Sequence, residues 1–424
     1  MDVRELSDLG PDERRTLFER DAGIESVQDD VRDIVSRVRE EGDVAVREFC
    51  REFDGVEIGN LEITDEAERA YEEIDETTRE AIETATENVR TFHEAQRPED
   101  WRREFADGRE LGRRFRPLER VGVYVPGGAA AYPSSALMGV IPAKVAGVEQ
   151  VAVATPPADE INPVTLAAIH AAGADAVYAV GGAQAVAALA YGTEQIDRVQ
   201  KIAGPGNKWV TAAKAEVRGD VAIDFLAGPS ELLVVADGTA DPAFVAADLV
   251  AQAEHDPEAS VVAVTADGNL AEAVAEEVEA HVGDRERADI ARAALDSDES
   301  GVFVARSASE AILFAEEYAP EHLSIQADDE AAILDRIDSA GSAFLGPYTP
   351  VAAGDYASGT NHVLPTNGLA KITGGLSVDT FLRSTTVQRL DESALGDLEG
   401  TIATLAEAEG LEAHAESVRK RFED

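Results

Sequence analysis

Four short segments hold most of the side chains in this chain that could bind a metal ion or transfer protons. Four of the seven histidines lie in them, each with a carboxylate nearby. Imidazole nitrogen with carboxylate oxygen is the ligand mixture that suits zinc and its neighbours among the divalent metals. No single segment has enough ligands for a site, so the fold must bring distant segments together, which points to an enzyme. The segments are Gln252–His255, Pro320–His322, Gly354–His362 and Glu409–His414.

Two of these segments lie at predicted helix ends. Gln252 and His255 are three residues apart, so both side chains leave the same face of the helix. Taken alone, that pair also suits an ordinary surface histidine. Glu321 and His322 are adjacent and follow Pro320, which blocks helical hydrogen bonding. Adjacent residues on irregular backbone diverge, which favours two separate proton-transfer roles over one chelate.

The other two segments differ in composition. Asp355 lies among Gly, Ser, Thr and Asn residues, which is typical of a hydrogen-bonded loop. Glu409 and His414 are five residues apart on a predicted helix. That spacing separates them by about 140° around the helix axis, so they can flank one ligand without lying on one face.

The charge of the chain is its most unusual bulk property. The 424 residues, 44% of them hydrophobic, predict two to four domains with sizeable cores. The net charge is −47, from 84 acidic and 37 basic residues. The acids are spread along the whole chain, which favours adaptation to a high-salt cytoplasm over a cation-binding or nucleic-acid-mimicking role. Binding to nucleic-acid phosphates is disfavoured by this sign of charge.

Cys50 is the only cysteine, which excludes a disulfide framework and a multi-thiolate metal site. Its position on a predicted amphipathic helix favours a small buried side chain over an aldehyde-trapping nucleophile. The first residues form no apolar signal core, and no stretch reaches 18 uninterrupted apolar residues. We therefore expect a soluble, cytoplasmic protein without a membrane partner.

The hydrophobic pattern changes along the chain and predicts an α/β fold. Residues up to about 110 have helical spacing, mainly in 27–41 and 65–92. From Arg120 onwards, short apolar runs alternate with helical ones, which builds right-handed βαβ units and parallel sheets. The predicted strands are 121–125, 151–154, 176–180, 232–236, 261–264 and 302–304. The predicted helices between them are 135–146, 164–172, 183–190, 242–254, 270–281 and 307–317.

The fold class predicted by this pattern is α/β. Two tandem, incomplete Rossmann-like parallel-sheet domains are flanked by helical N- and C-terminal segments. The predicted boundaries are 1–110 for the N-terminal helical segment, 111–230 and 231–380 for the two domains, and 381–424 for the C-terminal helical segment.

Three glycine-rich turns follow or accompany the predicted strands of the first domain, and ligands bind at the carboxyl ends of parallel strands. The turns are Pro126–Gly128, Gly181–Gln184 and Gly204–Asn207. None is the dinucleotide fingerprint. The last has two glycines at the right interval, but it lacks the third and follows no clear strand with an acidic residue about twenty positions on. Nucleotide binding and simple turn geometry both remain open from the spacing.

With these segments in order, the chain closely resembles the histidinol dehydrogenase family from about Arg120 to His414, with a weaker helical match upstream. The strings that carry the resemblance are VGVYVPGG, GGAQAVAALAYGTE, KIAGPGN, AGPSELLV, QAEHDP, APEHL and AGDYASGTNHVLPT. The resemblance implies oxidation of L-histidinol, by way of L-histidinal, to L-histidine, the last two steps of histidine biosynthesis. It also implies two NAD reduced per product and one Zn2+ per subunit.

Roles carry over to the matching positions as implications of the resemblance. It implies an acid–base pair of Glu321 and His322. The implied zinc ligands are Gln252, His255, Asp355 and His414, with the substrate's amino and imidazole nitrogens completing an octahedral shell. The implied NAD contacts, on the first domain, are Tyr124, Gln184 and Asn207. The implied substrate contacts, mostly on the second domain, are Ser230, Gln252, His255, His322, Asp355, Glu409 and His414, with His362 a weaker candidate.

The resemblance further implies a homodimer with shared active sites. In that arrangement segment 381–424 is exchanged with the partner, so that Glu409 and His414 serve the neighbouring site.

The implied reaction accounts for the residue types. Oxidation of an alcohol needs a base for the hydroxyl proton, which neutral His322 supplies near pH 7. The aldehyde must then be hydrated, and Glu321 suits the role of base for that water. Two other functions use the same residues: a zinc hydrolase in which Glu321 activates water, and a non-catalytic metal-dependent binding protein. Having both Glu321 and His322 disfavours the binding protein, and release of NADH would separate the dehydrogenase from either.

The charge predicts a salt requirement. The screening length grows from about 3 Å at 1 M salt to about 10 Å at 0.1 M, so the acidic surface repels itself more strongly as salt is removed. We expect the melting temperature to fall, and the dimer to dissociate, as KCl is lowered from molar to about 0.1 M, with zinc and NAD partly opposing the change. A melting temperature that stays flat across this range would refute the halophilic interpretation and favour a cationic partner.

Overall fold

The computed structural model describes residues 1–20, 23–127, 131–283, 285 and 287–423. The chain divides into two compact units, each made of two stretches of sequence. The first comprises Met1–Gln96 and Leu118–Phe381, and the second comprises Arg97–Pro117 and Leu382–Asp424. Among the described residues, no helix is long and apolar enough to cross a membrane.

The strands are numbered in chain order. They are β1 (Val3–Glu5), β2 (Trp101–Ala106), β3 (Arg109–Pro117), β4 (Arg120–Tyr124), β5 (Gln150–Thr155), β6 (Ala176–Ala179), β7 (Lys201–Ala203), β8 (Ala222–Ile223), β9 (Glu231–Ala236), β10 (Ser260–Thr265), β11 (Gly301–Val304), β12 (His322–Gln326), β13 (Ser342–Leu345) and β14 (Leu382–Leu390).

The α-helices are numbered in the same way. They are α1 (Pro11–Phe18), α2 (Gln28–Glu41), α3 (Asp43–Phe49), α4 (Thr64–Glu73), α5 (Glu76–Glu94), α6 (Pro133–Ala146), α7 (Pro163–Ala172), α8 (Gly182–Tyr191), α9 (Lys208–Val217), α10 (Pro242–Ala253), α11 (Gly268–Val282), α12 (Ala288–Leu295), α13 (Ala308–Tyr318), α14 (Glu330–Leu334), α15 (Val351–Tyr356), α16 (Glu392–Ala408) and α17 (Glu412–Arg419).

The first unit contains two parallel sheets with Rossmann-like strand order. One has five strands in the order β6-β5-β4-β7-β8, and the order reverses direction between β4 and β7. The other has six strands in the order β1-β11-β10-β9-β12-β13, with the reversal between β9 and β12. Each reversal is the topological switch point of an open α/β sheet. The predicted fold class, two tandem Rossmann-like modules, is confirmed.

Burial on both faces explains the continuous apolar runs of the central strands. All six residues of β9 and all six of β10 are buried. Helices α10, α11 and α12 pack on one face of this sheet, and α1 and α13 contribute to the core on the other. A strand covered on both faces has no polar side, so its sequence shows no alternation.

Two corrections concern the segments predicted to be helical. The end of the N-terminal segment forms the hairpin β2–β3, and the C-terminal segment begins with β14, which pairs antiparallel with β3. The prediction of helix up to residue 110 is therefore wrong for its last part, and also for Val3–Glu5, which form β1. All six residues of β2 are exposed, so no buried face leaves an alternating pattern to recognise. The predicted helix 65–92 is two helices, because Asp75 caps the start of α5 through the backbone N–H of Thr78.

Cys50 lies in the core of the first unit and has no disulfide partner among the described residues. Burial raises the pKa of its thiol to about 12, with a smaller contribution from the charge of Asp54. A neutral, buried thiol is a poor nucleophile. These features favour the small-hydrophobe interpretation.

The close approach of β7 to β4 predicts an intolerant glycine. Gly204 has φ +112°, and a Cβ there would lie 2.2 Å from the carbonyl oxygen of Tyr124. We expect Gly204→Ala to lower the free energy of unfolding by more than about 2 kcal/mol, because it adds both backbone strain and a clash. Gly219→Ala is the matched control, since no atom lies within 4 Å of its added methyl group. Equal unfolding free energies in denaturant titrations of the two variants would contradict this packing.

Candidate active site

The predicted acid–base pair lies at the amino end of a central strand. His322 is the first residue of β12 and Glu321 precedes it, while Glu231 begins the neighbouring strand β9. Helix α13 ends at Tyr318, and the next residue, Ala319, has φ 50° in the left-handed region. This uncommon conformation for a residue with a side chain turns the chain sharply into Pro320 and the strand. The pair is buried at the amino edge of the second sheet, opposite to the edge where open α/β sheets usually bind ligands.

Glu231 contacts Glu321 through its backbone and its side chain, and His322 through its backbone. Its N–H donates to Oε2 of Glu321 over 2.9 Å, and the N–H of Glu321 donates back to Oε2 of Glu231 over 3.2 Å. Its carbonyl oxygen lies 3.0 Å from Nδ1 of His322. A carbonyl can only accept, so Nδ1 carries a hydrogen and Nε2 is the nitrogen available to accept a proton when the ring is neutral.

Arg20 anchors Glu231 from the opposite side. Its Nε donates to Oε1 of Glu231 over 2.8 Å, and one of its terminal nitrogens donates to Oε2 over 3.1 Å. The backbone N–H of Asn367 donates to Oε1 over 2.6 Å. Both charged side chains are almost fully buried, at 3% exposure for Arg20 and 2% for Glu231. Sequence reasoning missed this pair. The available signal was an acidic residue at the start of the apolar run in AGPSELLV.

A second carboxylate faces the other nitrogen of His322. Oδ1 of Asp355 lies 3.6 Å from Nε2, and Oε2 of Glu321 lies 3.5 Å from Nδ1. Burial lowers the pKa of His322, but the charge of Glu321 and contacts with Asp355 outweigh it and raise the pKa well above its usual value. Within the described residues, Nε2 of His322 is buried and has no hydrogen-bond partner. A buried polar atom without a partner is rare and is typical of a position where a ligand binds.

Asp355 is surrounded by imidazoles. Burial raises its pKa, but His322, and then the charges of His362 and His255, outweigh burial, so the pKa is lowered. His362 places Nδ1 3.0 Å from the carbonyl oxygen of Asp355 and Nε2 3.4 Å from Oγ of Ser135. Burial lowers the pKa of His362. These contacts show His362 fixing the backbone at Asp355.

Two further metal-ligand candidates lie at the end of helix α10, and the charge of one of them, His255, acts on Asp355. Gln252 is buried in the last turn of α10, and His255 is exposed just beyond its end. A buried hydrogen bond ties this helix to β12, since Nε2 of Gln326 donates to Oδ2 of Asp248 over 3.2 Å. Burial raises the pKa of Asp248 to about 6.

Ser230, the remaining substrate candidate of the first unit, is partly buried and directly precedes β9.

The remaining candidates, Glu409 and His414, are exposed residues of the second unit, just after α16 and on α17. Among the residues that the structure describes, no three His, Cys, Asp or Glu side chains converge in a metal-binding arrangement. The first unit holds an amide, an imidazole and a carboxylate of the implied zinc set. That donor chemistry suits zinc, but a complete site needs a further donor.

The three NAD candidates lie at the carboxyl edge of the five-stranded sheet. Tyr124 ends β4, and its hydroxyl accepts from the N–H of Gly182 over 3.1 Å. Gln184 lies in the first turn of α8, with Nε2 3.5 Å from Oδ2 of Asp54. Asn207 caps α9 by accepting from two backbone N–H groups. Tyr124 and Asn207 flank the reversal between β4 and β7, where such sheets bind ligands.

Burial dominates the electrostatics of this edge. Burial raises the pKa of Tyr124 to about 12 and that of Asp54 to about 6.

Gly127 of the turn after β4 lies beside Pro156, and Gly128 of the same predicted turn lies outside the described residues.

The turn Gly204–Asn207 does follow a strand, so the prediction that none precedes it is wrong. Strand β7 has only three residues, too few for a recognisable pattern. An acidic residue also stands twenty positions after Gly204: Oδ2 of Asp224 accepts from the N–H of Gly204 over 2.9 Å. Asp224 forms a buried ion pair with Lys214, whose Nζ also donates to the carbonyl oxygen of Gly204. This carboxylate therefore holds the turn itself.

Comparison with known proteins gives a consistent result. Residues 18–422 match the family model described as histidinol dehydrogenase. The chain is 73% identical over 423 residues to histidinol dehydrogenase of Haloarcula marismortui, covering 100% of each chain. It is 49% identical to that of Methanosarcina mazei, covering 99% of this chain and 97% of the relative. The crystal structure of histidinol dehydrogenase from Elizabethkingia anophelis has a TM-score of 0.94 at 37% identity, covering 99% of this chain and 97% of the other.

Proposed function

We propose that this chain, which belongs to the histidinol dehydrogenase family, oxidises L-histidinol through L-histidinal to L-histidine. NAD would be the hydride acceptor and zinc the resident metal. The observation that carries the proposal is the buried Glu321–His322 pair, held by Glu231, with no hydrogen-bond partner for Nε2 of His322 among the described residues. A base and an acid at one buried point are what oxidation of an alcohol and then of an aldehyde hydrate requires.

His322 acts as the base for the substrate hydroxyl. Its Nδ1 is held on the carbonyl oxygen of Glu231, so Nε2 is the nitrogen that accepts the hydroxyl proton. Hydride leaves the carbon that bears this hydroxyl group. The imidazole must be neutral for this step. The raised pKa of His322 owes much to the carboxylates of Glu321 and Asp355. Engagement of Asp355 in a metal site would withdraw one of these carboxylates and favour the neutral ring.

Glu321 acts in the second oxidation. The aldehyde takes up one water molecule, and the carboxylate of Glu321 accepts the proton that this water releases as its oxygen bonds to the carbonyl carbon. The former carbonyl oxygen takes up the proton that His322 received in the first oxidation, and the resulting hydrate then loses hydride to NAD and a hydroxyl proton to Nε2 of His322 to give the acid. The N–H of Glu231 fixes Oε2 of Glu321 over 2.9 Å, which restricts the carboxylate to one orientation. Such restriction reduces the entropic cost of reaching the reactive geometry.

The chain's own residues account for binding. Gln252, His255 and Asp355 of one subunit, together with the partner subunit's His414, would hold zinc, which supplies an anchor for the substrate's amine and imidazole nitrogens. NAD would bind at the carboxyl edge of the five-stranded sheet, beside the N-termini of α8 and α9. The candidate contacts there remain Tyr124, Gln184 and Asn207. Ser230 and the partner's Glu409 would complete the substrate site, with His362 a weaker candidate.

We infer a homodimer with exchanged C-terminal segments from the location of the candidates. Glu409 and His414 are exposed and belong to the second unit, whereas the other candidates belong to the first. The implied zinc set has one imidazole in the first unit, that of His255, and the partner's His414 would supply the second. Segment 381–424 would carry it across.

The proposed reaction is tested by absorbance of NADH. The zinc-loaded protein in molar KCl, given histidinol and NAD, should form two NADH for each histidine produced. A zinc hydrolase or a metal-dependent binding protein would form none. Absence of NADH with a folded, zinc-loaded protein would refute the proposal.

Substitutions of the acid–base pair should separate the two oxidations. We expect His322→Asn to lower turnover of histidinol by about 10²- to 10⁴-fold while zinc stays bound, because a base is lost and no ligand is. Glu321→Gln should impair oxidation of histidinal more than that of histidinol. Steady-state rates with each substrate, and the zinc content of each variant, measure both effects. Equal losses in the two half-reactions of Glu321→Gln would refute the role assigned to this carboxylate.

The shared active site is tested by mixing two inactive variants. His414→Ala and His322→Asn homodimers each lack a group needed at both sites. A heterodimer of the two has one intact site if His414 serves the partner, so mixing should restore part of the activity. Each variant mixed with itself is the control. If labelled subunits exchange and no activity returns, His414 acts within its own subunit.

A further inference from the structure

We propose that Arg20 and Glu231 are a positioning pair that holds Glu321 and His322 in their reactive orientation. Glu231 reaches Glu321 by two reciprocal hydrogen bonds and His322 by its carbonyl oxygen, and Arg20 fixes Glu231 with two donors. The inference rests on the proposed function, because it assigns these residues an effect on that reaction.

Stability alone does not account for this pair. Placing two charges in a protein interior carries a large desolvation cost, and apolar residues of similar size often serve stability equally well. Arg20 and Glu231 are nonetheless almost fully buried, and their partners are specific. A buried pair that contacts the acid–base residues directly is better explained by orientation than by stability.

The guanidinium of Arg20 is itself rigidly held. It donates to the carbonyl oxygens of Leu17 and Tyr318 over 2.7 and 3.0 Å, and it stacks 3.8 Å from the centre of the Tyr318 ring. The Tyr318 hydroxyl lies 2.6 Å from Oγ of Ser260. The end of α1, the end of α13 and the start of β10 therefore converge on the group that orients Glu231. The planar fork of arginine makes these contacts together, which lysine cannot do.

The charge of Arg20 also controls the neighbouring carboxylates. Burial raises the pKa of Glu231. Arg20 and the backbone N–H of Asn367 lower this pKa, and the charge of Glu321 raises it further. Among the described residues, the charged or titratable groups that interact with this pair of carboxylates are Arg20, Tyr318, His322 and His362, with Asp355 beyond His322. Tyr318 and Glu299 face Arg20. Without Arg20, the carboxylate of Glu231, buried beside that of Glu321, would take up a proton at a higher pH.

The test uses the full-length, zinc-loaded enzyme in molar KCl and measures kcat and KM for histidinol and histidinal across pH, with melting temperatures. Arg20→Met should lower kcat by at least about 10-fold with both substrates and move the acid limb of the profile upward by about one pH unit or more. Arg20→Lys keeps the positive charge but loses the forked pair of guanidinium donors. The acid limb should therefore keep its wild-type position while kcat falls. The double variant Arg20→Met/Glu231→Gln removes both charges, so its acid limb should return towards wild type without recovery of kcat.

Arg306→Met is the matched control, since it breaks an exposed arginine–glutamate pair with Glu310 on α13. It should leave kcat and the acid limb unchanged. If Arg20→Met does not fold, Arg20→Lys and the double variant carry the same test. A lowered melting temperature with unchanged kcat and pH profile in the Arg20 variants would overturn the proposal. A wild-type enzyme that forms no NADH would instead refute the proposed function, so the two failures are distinguishable.

Discussion

The rest of the site depends on one buried carboxylate, that of Glu231. A charge removed from water must be matched by an opposite charge and by hydrogen bonds to its remaining oxygen lone pairs. Here the matching groups are Arg20 from the N-terminal segment and backbone N–H groups of Asn367 and Glu321. Because each must converge on the same two oxygens, they fix the start of β12 against the start of β9. The positions of Glu321 and His322 follow from that requirement.

The two Rossmann-like sheets present opposite edges to their candidate ligands. The five-stranded sheet places Tyr124, Gln184 and Asn207 at its carboxyl edge, near the reversal of strand order. Five strands of the six-stranded sheet, β11-β10-β9-β12-β13, repeat this strand order, but Glu321 and His322 lie at the amino edge of that sheet. Shared topology therefore does not determine the location of a site. In the second sheet, the left-handed Ala319 and the buried ion pair create the site at the unusual edge.

The sequence predicted six of the eleven strands of the two parallel sheets, namely β4, β5, β6, β9, β10 and β11, because these strands are apolar runs between helices of clear periodicity. It did not predict β2, β3 or β14, whose residues are mostly exposed or partly buried, nor β1, β7, β8 and β13, which have two to four residues. Exposed or very short strands carry little periodicity. Strand β12 was also missed, although all five of its residues are buried, because polar residues interrupt its apolar run. Arg20 and Glu231 were missed for another reason: they are 211 residues apart, and only the fold brings them together. The roles of Gln252, His255, Asp355 and His414 came from family resemblance, since their spacing left several chemistries open.

A crystal structure of the zinc-loaded dimer with histidinol and NAD would test most directly whether Glu231 orients His322 for the reaction. If it does, Nε2 of His322, and not Nδ1, faces the reacting carbon. We predict the histidinol hydroxyl within about 3.2 Å of Nε2, a hydrogen-bond distance, while Nδ1 stays on the carbonyl oxygen of Glu231. The Arg20–Glu231 pair should remain intact in that complex. A histidinol hydroxyl that contacts neither His322 nor Glu321, with Nε2 of His322 bonded to another protein group, would contradict this role of Glu231.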